Sequence, residues 1–454
     1  MLQEPKRSAQ QPVRRLVVIG CGPHFIDRYS DVLAKQRSDV EIAAVVDLAD
    51  RKEVVIQAMS AKGLAPETFI FLDEVHRNFP SLDIIRSRLN GVRQLWDVDA
   101  ALICTEPKAH LSYAFWSLER GMNVFMDKPI TPLTGDRPID LLQREFLQLL
   151  KAKQNAGVRF VISCERRMQA GYLYVEEFLT RFMRQFRVPI THVSIHFAGG
   201  KWILPYELAD LENHPFKYGY GVLFHSGYHY IDLLARLARF NTFIHKMNMA
   251  DPVLDLAVVR HIDLNQVIES KLLQRFGISE NCGDNVIPPG CGELDVSVLG
   301  RYEYKDRYRM NFDLQMLETS VSARNVRSER PGTGRIRQET VHVHLGNLCS
   351  IRIASDSFRK LLGSDEPEAF EISIACNPLV AEGVSVQRID RTGLSGFEPR
   401  LPVGASLNGF ARCDQLLDFL EGGDARSPLA SHAESIALLT QICRVMRAQR
   451  PARR

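Results

Sequence analysis

The segment from Gly219 to Asp232 contains the side chains that are best suited to proton transfer. It places His225, His229 and Asp232 four and then three residues apart. On a helix this spacing puts the three side chains on one face, because residues three and four apart are neighbours on the helix surface. Two imidazoles and a carboxylate beside apolar neighbours indicate a proton-handling site or a metal site. A half-buried helix whose histidines are satisfied by the fold is the alternative.

The composition of the whole chain indicates a soluble protein of two domains. The 454 residues carry a net charge of only +3, which gives no reason to expect nucleic acid or an anionic membrane as partner. The sequence has no apolar run of the roughly 20 residues that a membrane span needs. Its nine cysteines are scattered, odd in number and without a CxxC pair, so we expect reduced thiols in a cytoplasmic protein. The polar residues 1–13 lack the apolar core of a signal peptide and predict a disordered arm.

Short apolar runs alternate with helical patterns over residues 14–164. The predicted strands are Leu16–Ile19, Glu41–Val46, Ala100–Cys104, Asn123–Met126 and Val158–Ser163. The predicted helices are Ile26–Leu33, Asp50–Lys62, His110–Arg120 and Ile139–Gln154. This alternation predicts right-handed βαβ units and a doubly wound parallel sheet, and therefore an α/β Rossmann domain.

Strand-like segments follow one another directly over residues 165–454. They are Thr191–Phe197, Leu254–Leu264, Leu294–Tyr302, Arg307–Leu317, Thr340–Leu345 and Phe370–Ala375, and a last helix is expected over Ser431–Gln449. Successive strands with few helices between them indicate a mostly antiparallel sheet. We therefore predict a second, α+β domain.

The Gly20-Cys21-Gly22 loop follows the first predicted strand and precedes a helix. In a dinucleotide site the first glycine permits a tight turn and the second lets the backbone approach a pyrophosphate. Phe25 stands where the fingerprint has a third Gly or Ala. Asp47 ends the second strand, where it can accept from the ribose hydroxyls. Its charge would repel a 2′-phosphate and favours NAD over NADP, and the nearby Arg51 and Lys52 soften that preference.

A second loop, Asp127-Lys128-Pro129, follows a strand at the edge where open α/β sheets bind ligands. An exposed structural lysine is the alternative for Lys128 considered alone.

The order of these motifs resembles the Gfo/Idh/MocA oxidoreductases, the group of glucose–fructose oxidoreductase and inositol dehydrogenase. The resemblance covers most of residues 14–240 and the C-terminal tail. The matching positions are Gly20-Cys21-Gly22, Asp47, Thr105, Pro107, His110, Asp127-Lys128-Pro129, Arg166-Arg167, His229 and Asp232. The resemblance implies a nucleotide site over Gly20, Cys21, Gly22, Phe25, Asp47, Thr105, Pro107, His110, Asp127 and Lys128.

The resemblance also implies the catalytic roles. Lys128 would lie near the nicotinamide and the substrate hydroxyl, His229 would act as acid/base, and Arg167 would contact substrate with them. An imidazole titrates near neutrality and a cation stabilises a developing alkoxide, so the pairing suits oxidation of an alcohol. The Lys128-Pro129 peptide is a candidate for a cis bond. No metal is implied.

His225 departs from the family pattern, which has Asp four residues before the acid/base histidine. A carboxylate there would raise the pKa of His229, whereas a second imidazole would not. We therefore hypothesise that His225 takes part in the acid/base work, contacts substrate, and moves activity toward neutral or alkaline pH.

The sequence as a whole predicts an NAD(P)-dependent oxidoreductase that acts on a CH–OH group of a sugar, sugar acid or cyclitol. The resemblance also implies that residues 165–454 serve substrate binding and oligomerisation, and that the protein is a homodimer or homotetramer. Two alternatives stay open: a glycoside hydrolase that uses NAD for transient oxidation, and a non-catalytic dinucleotide-binding regulator.

Overall fold

The computed structural model describes residues 11–36, 38–135, 137–199, 219–246, 248–261, 263, 291–305, 308–319, 337–357, 369–379, 386–394, 400 and 406–449. Most of the arm predicted over residues 1–13 lies outside them. The chain divides into two compact units. The first consists of Met1–Pro132, Leu141–Tyr172 and Glu398–Ala433, and the second of Leu133–Asp140, Leu173–Phe397 and Glu434–Arg454. The return of residues 398–433 to the first unit was not predicted.

A six-stranded parallel sheet forms the centre of the first unit. Its strands are β1 (Arg15–Ile19), β2 (Glu41–Leu48), β3 (Thr68–Leu72), β4 (Ala100–Ile103), β5 (Asn123–Asp127) and β6 (Phe160–Ser163). They lie in the order β3-β2-β1-β4-β5-β6. This is the strand order of a Rossmann sheet, in which the chain adds strands on one side of β1 and then, from β4 onward, on the other side. It confirms the predicted fold class. The edge strand β3 was not predicted, since most of its residues are only half-buried.

Six helices of the first unit connect these strands. They are α1 (Pro23–Arg28), α2 (Ser30–Lys35), α3 (Lys52–Ala61), α4 (Leu82–Leu89), α5 (His110–Glu119) and α6 (Leu141–Ala156). The single helix predicted over residues 26–33 is wrong, because the chain breaks at Tyr29. The Tyr29 ring is buried, and its hydroxyl shares a 2.7 Å hydrogen bond with Ser163 Oγ.

The C-terminal segment completes the core of this unit. The side of helix α9 (Leu407–Leu420) that carries Leu416 and Phe419 packs against the first strands. The Phe419 ring lies 5.4 Å from the Phe125 ring of β5. Arg159 donates to the backbone oxygens of Phe419 and Gly423, both at 2.7 Å. Contacts between residues about 260 apart in sequence therefore hold the segment in place.

An eight-stranded sheet forms the second unit. Its strands are β7 (His192–Ala198), β8 (Val253–Arg260), β9 (Glu293–Glu303), β10 (Arg309–Leu317), β11 (Gln338–Leu345), β12 (Cys349–Asp356), β13 (Ala369–Cys376) and β14 (Val386–Asp390). Among the strands that the structure describes, only β7 and β10 pair in parallel, so the predicted antiparallel character is confirmed. The strands β12 and β14 were not predicted.

The helices described in this unit are α7 (Ala170–Phe186), α8 (Tyr228–His245) and α10 (Ala433–Ala448). Helix α8 packs on the buried face of the sheet, where the Tyr230 ring lies 4.5 Å from the Phe197 ring of β7. Within the described ranges, none of the helices is both long enough and apolar enough to cross a membrane.

Candidate functional site

The loop after β1 lies at the point where the strand order of the first sheet reverses. The Gly20 amide donates to the Val46 carbonyl of β2 at 2.8 Å, and the Cys104 amide donates to the Ile19 carbonyl at 2.8 Å. Gly20 has a φ of +88°, and a Cβ atom on it would lie 2.7 Å from the Thr105 nitrogen. Only glycine meets both conditions, so the predicted tight turn is built into the crevice between β1 and β4.

The carboxylate of Asp47 is fixed beside this loop. Its Oδ2 accepts from the Cys21 amide and its Oδ1 from the Leu48 amide, both at 2.7 Å. The residue is 8% exposed. Each oxygen retains a further lone pair, so the carboxylate could still accept hydroxyl groups. Arg51 brings a cation to the same place, with its Nη2 3.4 Å from the Cys21 carbonyl oxygen.

Two predicted nucleotide contacts turn their side chains into the core. Phe25, at the position of the third glycine, is fully buried in the apolar cluster of the first unit. Cys21 is also buried, with its Sγ 3.6 Å from Met59 Sδ, and burial raises the pKa of its thiol. Only the backbone at these two positions would be available to a ligand.

The loop after β4 contributes an unpartnered hydroxyl group. Thr105 Oγ1 is buried and has no hydrogen-bond partner in the structure. A buried polar atom without a partner costs stability, and a ligand in the crevice would satisfy it. Pro107 begins a short 3₁₀ helix over Pro107–Ala109 in the same loop.

His110 braces this loop from within the fold. Its Nδ1 lies 2.8 Å from the Pro129 carbonyl oxygen and its Nε2 3.1 Å from the Thr105 carbonyl oxygen. Burial lowers the pKa of His110, against the effect of Asp127 and of both carbonyls. The neutral ring joins the Thr105 and Pro129 turns, and a direct contact between His110 and a nucleotide stays a prediction.

The Lys128-Pro129 peptide bond after β5 is cis, which confirms that expectation. Asp127 Oδ1 accepts from the Lys128 amide at 2.9 Å. Its Oδ2 lies 3.1 Å from His24 Nε2, an ion-pair distance without hydrogen-bond alignment. Burial lowers the pKa of His24 and Asp127 opposes that shift. The sequence did not predict the contact between His24 and Asp127, because it depends on the fold.

Arg167 is 1% exposed and holds the C-terminal segment. Its guanidinium donates to the Arg426 carbonyl at 3.2 Å, to the Ser431 carbonyl at 3.1 Å and to the Ser431 hydroxyl. This geometry gives the residue a structural role within the first unit. The predicted contact between Arg167 and substrate stays a prediction.

In the second unit, the expectation that one helix carries both histidines is wrong. Helix α8 begins at Tyr228, and His225 lies in the turns before it. The Leu223 amide donates to Glu293 Oε1 at 3.0 Å, and the Gly227 amide donates to the Val222 carbonyl at 2.7 Å. These bonds replace the regular helical pattern. His225 is therefore half-buried in a turn, whereas His229 in the first turn of α8 is 5% exposed.

Asp232 belongs to the packing of α8. It is fully buried, and its Oδ1 accepts from the Ser435 hydroxyl of α10 at 2.7 Å. In the part of the chain that the structure describes, no three His, Cys, Asp or Glu side chains are arranged to hold a metal ion.

Three buried glutamates of the second unit bind residues 223–230, which contain His225 and His229 and are called the histidine segment below. The sequence did not predict these glutamates as part of the site. Glu293 accepts from the Leu223 amide, Glu318 accepts from the Ser226 hydroxyl, and Glu339 accepts from the Tyr230 hydroxyl at 2.6 Å. No local sequence pattern predicts these hydrogen bonds, because each glutamate lies about 70 or more residues from its partner.

Comparison with known proteins gives one match to a family. Residues 14–150 match the family model GFO_IDH_MocA, described as an oxidoreductase family with an NAD-binding Rossmann fold. No curated protein matches the chain in sequence. The match confirms the predicted resemblance to this family over residues 14–150 and the predicted NAD-binding Rossmann domain there.

Solved structures share the fold over nearly the whole chain. The WlbA dehydrogenase from Bordetella pertussis, in complex with NADH and UDP-GlcNAcA, is 16% identical over 97% of each chain with a TM-score of 0.56. A levoglucosan dehydrogenase in complex with NADH and levoglucosan is 13% identical over 96% of this chain and 98% of its own, with a TM-score of 0.57. A putative myo-inositol dehydrogenase from Sinorhizobium meliloti 1021 is 15% identical over 96% and 98%, with a TM-score of 0.51. At these identities the likeness establishes the fold.

Proposed function

We propose that this chain, whose residues 14–150 form the NAD-binding Rossmann domain of a Gfo/Idh/MocA oxidoreductase, transfers a hydride between nicotinamide and a hydroxyl-bearing carbon of a sugar, sugar acid or cyclitol. The observation that carries the proposal is the crevice between β1 and β4. It combines the Gly20 turn, the fixed Asp47 carboxylate and the unpartnered Thr105 hydroxyl. The fold-sharing dehydrogenases crystallised with UDP-GlcNAcA and with levoglucosan support the substrate class.

The residues of this crevice fit a dinucleotide. The Gly20 and Gly22 backbone would face the pyrophosphate, Asp47 would accept the ribose hydroxyls, and Thr105 Oγ1 would find a polar partner. When bound, the nicotinamide supplies the hydride acceptor or donor. Asp47 favours NAD, and Arg51 leaves NADP as a weaker alternative.

The proton chemistry falls to three side chains in this proposal. Lys128 stabilises negative charge that develops on the substrate oxygen. His229 takes the hydroxyl proton, which an imidazole does near neutral pH. His225 lies in a turn rather than in helix α8, so the spacing of a helix does not fix its position relative to His229. In this proposal it takes part as a second proton carrier.

Two further expectations belong to the proposal. We propose a cytoplasmic enzyme, which the free thiols of the described cysteines support. We also propose a homodimer or homotetramer. Large apolar side chains on the open face of the second sheet support it, since Leu299 is 65% and Val253 51% exposed.

A substrate screen on the full chain tests the proposal. Sugars, sugar acids, cyclitols and their glycosides are offered with NAD, and both reduced nicotinamide and glycoside cleavage are followed. We expect reduced nicotinamide with at least one CH–OH substrate. Cleavage without net reduction would instead identify an NAD-dependent glycoside hydrolase, and nucleotide binding without any turnover a regulator.

Two variants then assign the roles. Lys128→Met and His229→Gln should each lower kcat about 100-fold or more while NAD affinity stays within about threefold. Lys62→Met is the matched control, because Lys62 only pairs with Asp31 at the surface of the first unit. Activity that survives both catalytic substitutions would overturn the assignment.

A further inference from the structure

Glu318 is the first residue after β10 and lies next to Gly199, the first residue after the parallel neighbour β7. The register pairs Leu317 with Ala198, so the two positions are at the same end of the sheet. Glu318 is fully buried. A Cβ atom on Gly199 would overlap Glu318 Oε2, so the absence of a side chain at 199 makes the space that the carboxylate occupies.

The two carboxylate oxygens of Glu318 are in different situations. Oε1 accepts from the Ser226 hydroxyl, which lies in the turn beside His225. Oε2 is buried and has no hydrogen-bond partner in the structure. Burying an acceptor without a partner costs stability, so packing alone does not explain a carboxylate here.

Glu318 differs from the other acids at this end of the sheet in how its charge is balanced. Burial raises the pKa of Glu293 and of Asp295, which biases both toward the neutral form. Glu339 has Arg337 nearby, with Nη2 3.7 Å from its Oε2. Among the described ion pairs, none gives Glu318 a cation. Its charge is felt by its neighbour, because it contributes to raising the pKa of Asp295, whose Oδ1 accepts from the Glu318 amide at 2.7 Å.

We propose that Glu318 is a positioning residue of the histidine segment, which it holds through Ser226 and whose proton affinity it raises by its negative charge. Two imidazoles close together disfavour each other's protonation, and a nearby carboxylate offsets that effect. The other charged groups at this end of the sheet are Glu293 and Asp295 on β9, and Arg337 and Glu339 at β11. The inference deepens the proposed function and rests on it for its catalytic meaning.

Histidine titration by NMR tests the inference without any substrate. The full chain, labelled with ¹³C in its imidazole rings, is titrated as wild type and as Glu318→Gln. His225→Gln and His229→Gln spectra identify the two signals. We expect the apparent pKa values of the pair to fall by about half a unit or more in Glu318→Gln, because the neutral amide keeps the shape and removes the charge.

Asp313→Asn is the matched control. Asp313 lies on the opposite, open face of the sheet, where its carboxylate contacts His192 Nε2 at 3.0 Å and Ser194 Oγ at 2.6 Å. Its loss removes a carboxylate from the same sheet and should leave the signals of His225 and His229 in place. A general loosening of the sheet would move both of them.

The outcomes are distinct. A folded Glu318→Gln protein whose pair titrates within about 0.2 units of wild type overturns the inference. If that variant does not fold, Gly199→Ala displaces the carboxylate instead, and an unchanged titration there overturns it equally. Calorimetric titration of the wild-type chain with NAD separates the two proposals. If the chain does not bind NAD but the histidine pKa values still fall in Glu318→Gln, the result counts against the proposed function alone.

Discussion

The nucleotide loop of the first unit and the histidine segment of the second are built from contacts of different range. Asp47 holds the loop across 26 residues of sequence, and both partners follow predicted strands. The histidine segment is held by Glu293, Glu318 and Glu339, across 70, 92 and 109 residues. The first site can therefore be read from local patterns. The second depends on how distant strands assemble, so its geometry becomes visible only in the fold.

The substitution with the largest expected effect on the nucleotide loop is at Gly20. Gly20→Ala combines a φ of +88° with a backbone atom 2.7 Å from the new Cβ, so the Thr105 loop must move. We expect NAD affinity to fall about 100-fold or more, about 3 kcal/mol, in a calorimetric titration.

Gly121→Ala is the control for the backbone conformation itself. Gly121 has a φ of +67° but no atom within 4 Å of a Cβ. It should lose about 1 kcal/mol of unfolding free energy and keep its NAD affinity. Equal losses of affinity in both variants would show that the crevice between β1 and β4 has no special role.

Arg167→Gln asks whether long-range contacts also build the first unit. The buried guanidinium holds the Arg426 and Ser431 backbone, so its removal should cost about 2–4 kcal/mol of stability in chemical denaturation. Substrate KM should stay near the wild-type value in folded protein. A raised KM with unchanged stability would instead restore the substrate role that the sequence implied.

Acid sensitivity gives a smaller effect, centred on the second unit. Burial lowers the pKa of His261, beside β8, to about 4 from a usual value of 6.5. Below about pH 6.5 the unfolded chain therefore binds a proton at this imidazole that the folded chain does not bind. The free energy of unfolding falls as the pH drops from about 6.5 toward 4. Between pH 7 and pH 5 the loss from this group is about 2 kcal/mol. His261→Leu should lose correspondingly less over that range in denaturation curves, and an identical pH dependence would contradict the assignment.

The smallest effect is expected at Arg51, which tests cofactor choice at the nucleotide loop. Arg51→Ala should weaken NADP binding about fivefold, roughly 1 kcal/mol, and leave NAD binding unchanged, since only NADP carries a phosphate for the guanidinium. Lys52→Ala, at the first residue of α3, is the control, since of these two neighbouring cations it is Arg51 whose guanidinium reaches the Cys21 carbonyl. A loss that is equal for both nucleotides would place Arg51 at the pyrophosphate instead.

Five of the six strands of the first sheet could be predicted because each is an apolar run ended by a loop signal. The acid at Asp47 followed from the same local rules, and the cis Lys128-Pro129 bond was expected from the resemblance to the Gfo/Idh/MocA family. The break at Tyr29 did not, because it depends on a bond to Ser163 that lies 134 residues away. Phe25 likewise occupies a glycine position, and only the packed core shows that its side chain turns inward.

The histidine segment shows where spacing misleads. The 225, 229 and 232 positions fit a helix, yet Glu293 takes the Leu223 amide and the helix begins later, at Tyr228. Asp232 fits the same stripe but serves Ser435. Glu318 directly follows β10, and no local pattern in the sequence indicates that it is fully buried. Side chains that act through distant partners carry no periodic signal.

The nucleotide site is tested most directly by calorimetric titration of the full chain with NAD and NADP, each in oxidised and reduced form. The crevice formed by Gly20, Asp47 and Thr105 predicts saturable binding of one NAD or NADH per chain, stronger than that of NADP, and weakened about 100-fold or more by Gly20→Ala. No heat with any of the four nucleotides, or equal binding by Gly20→Ala, would contradict the assignment of this sheet edge.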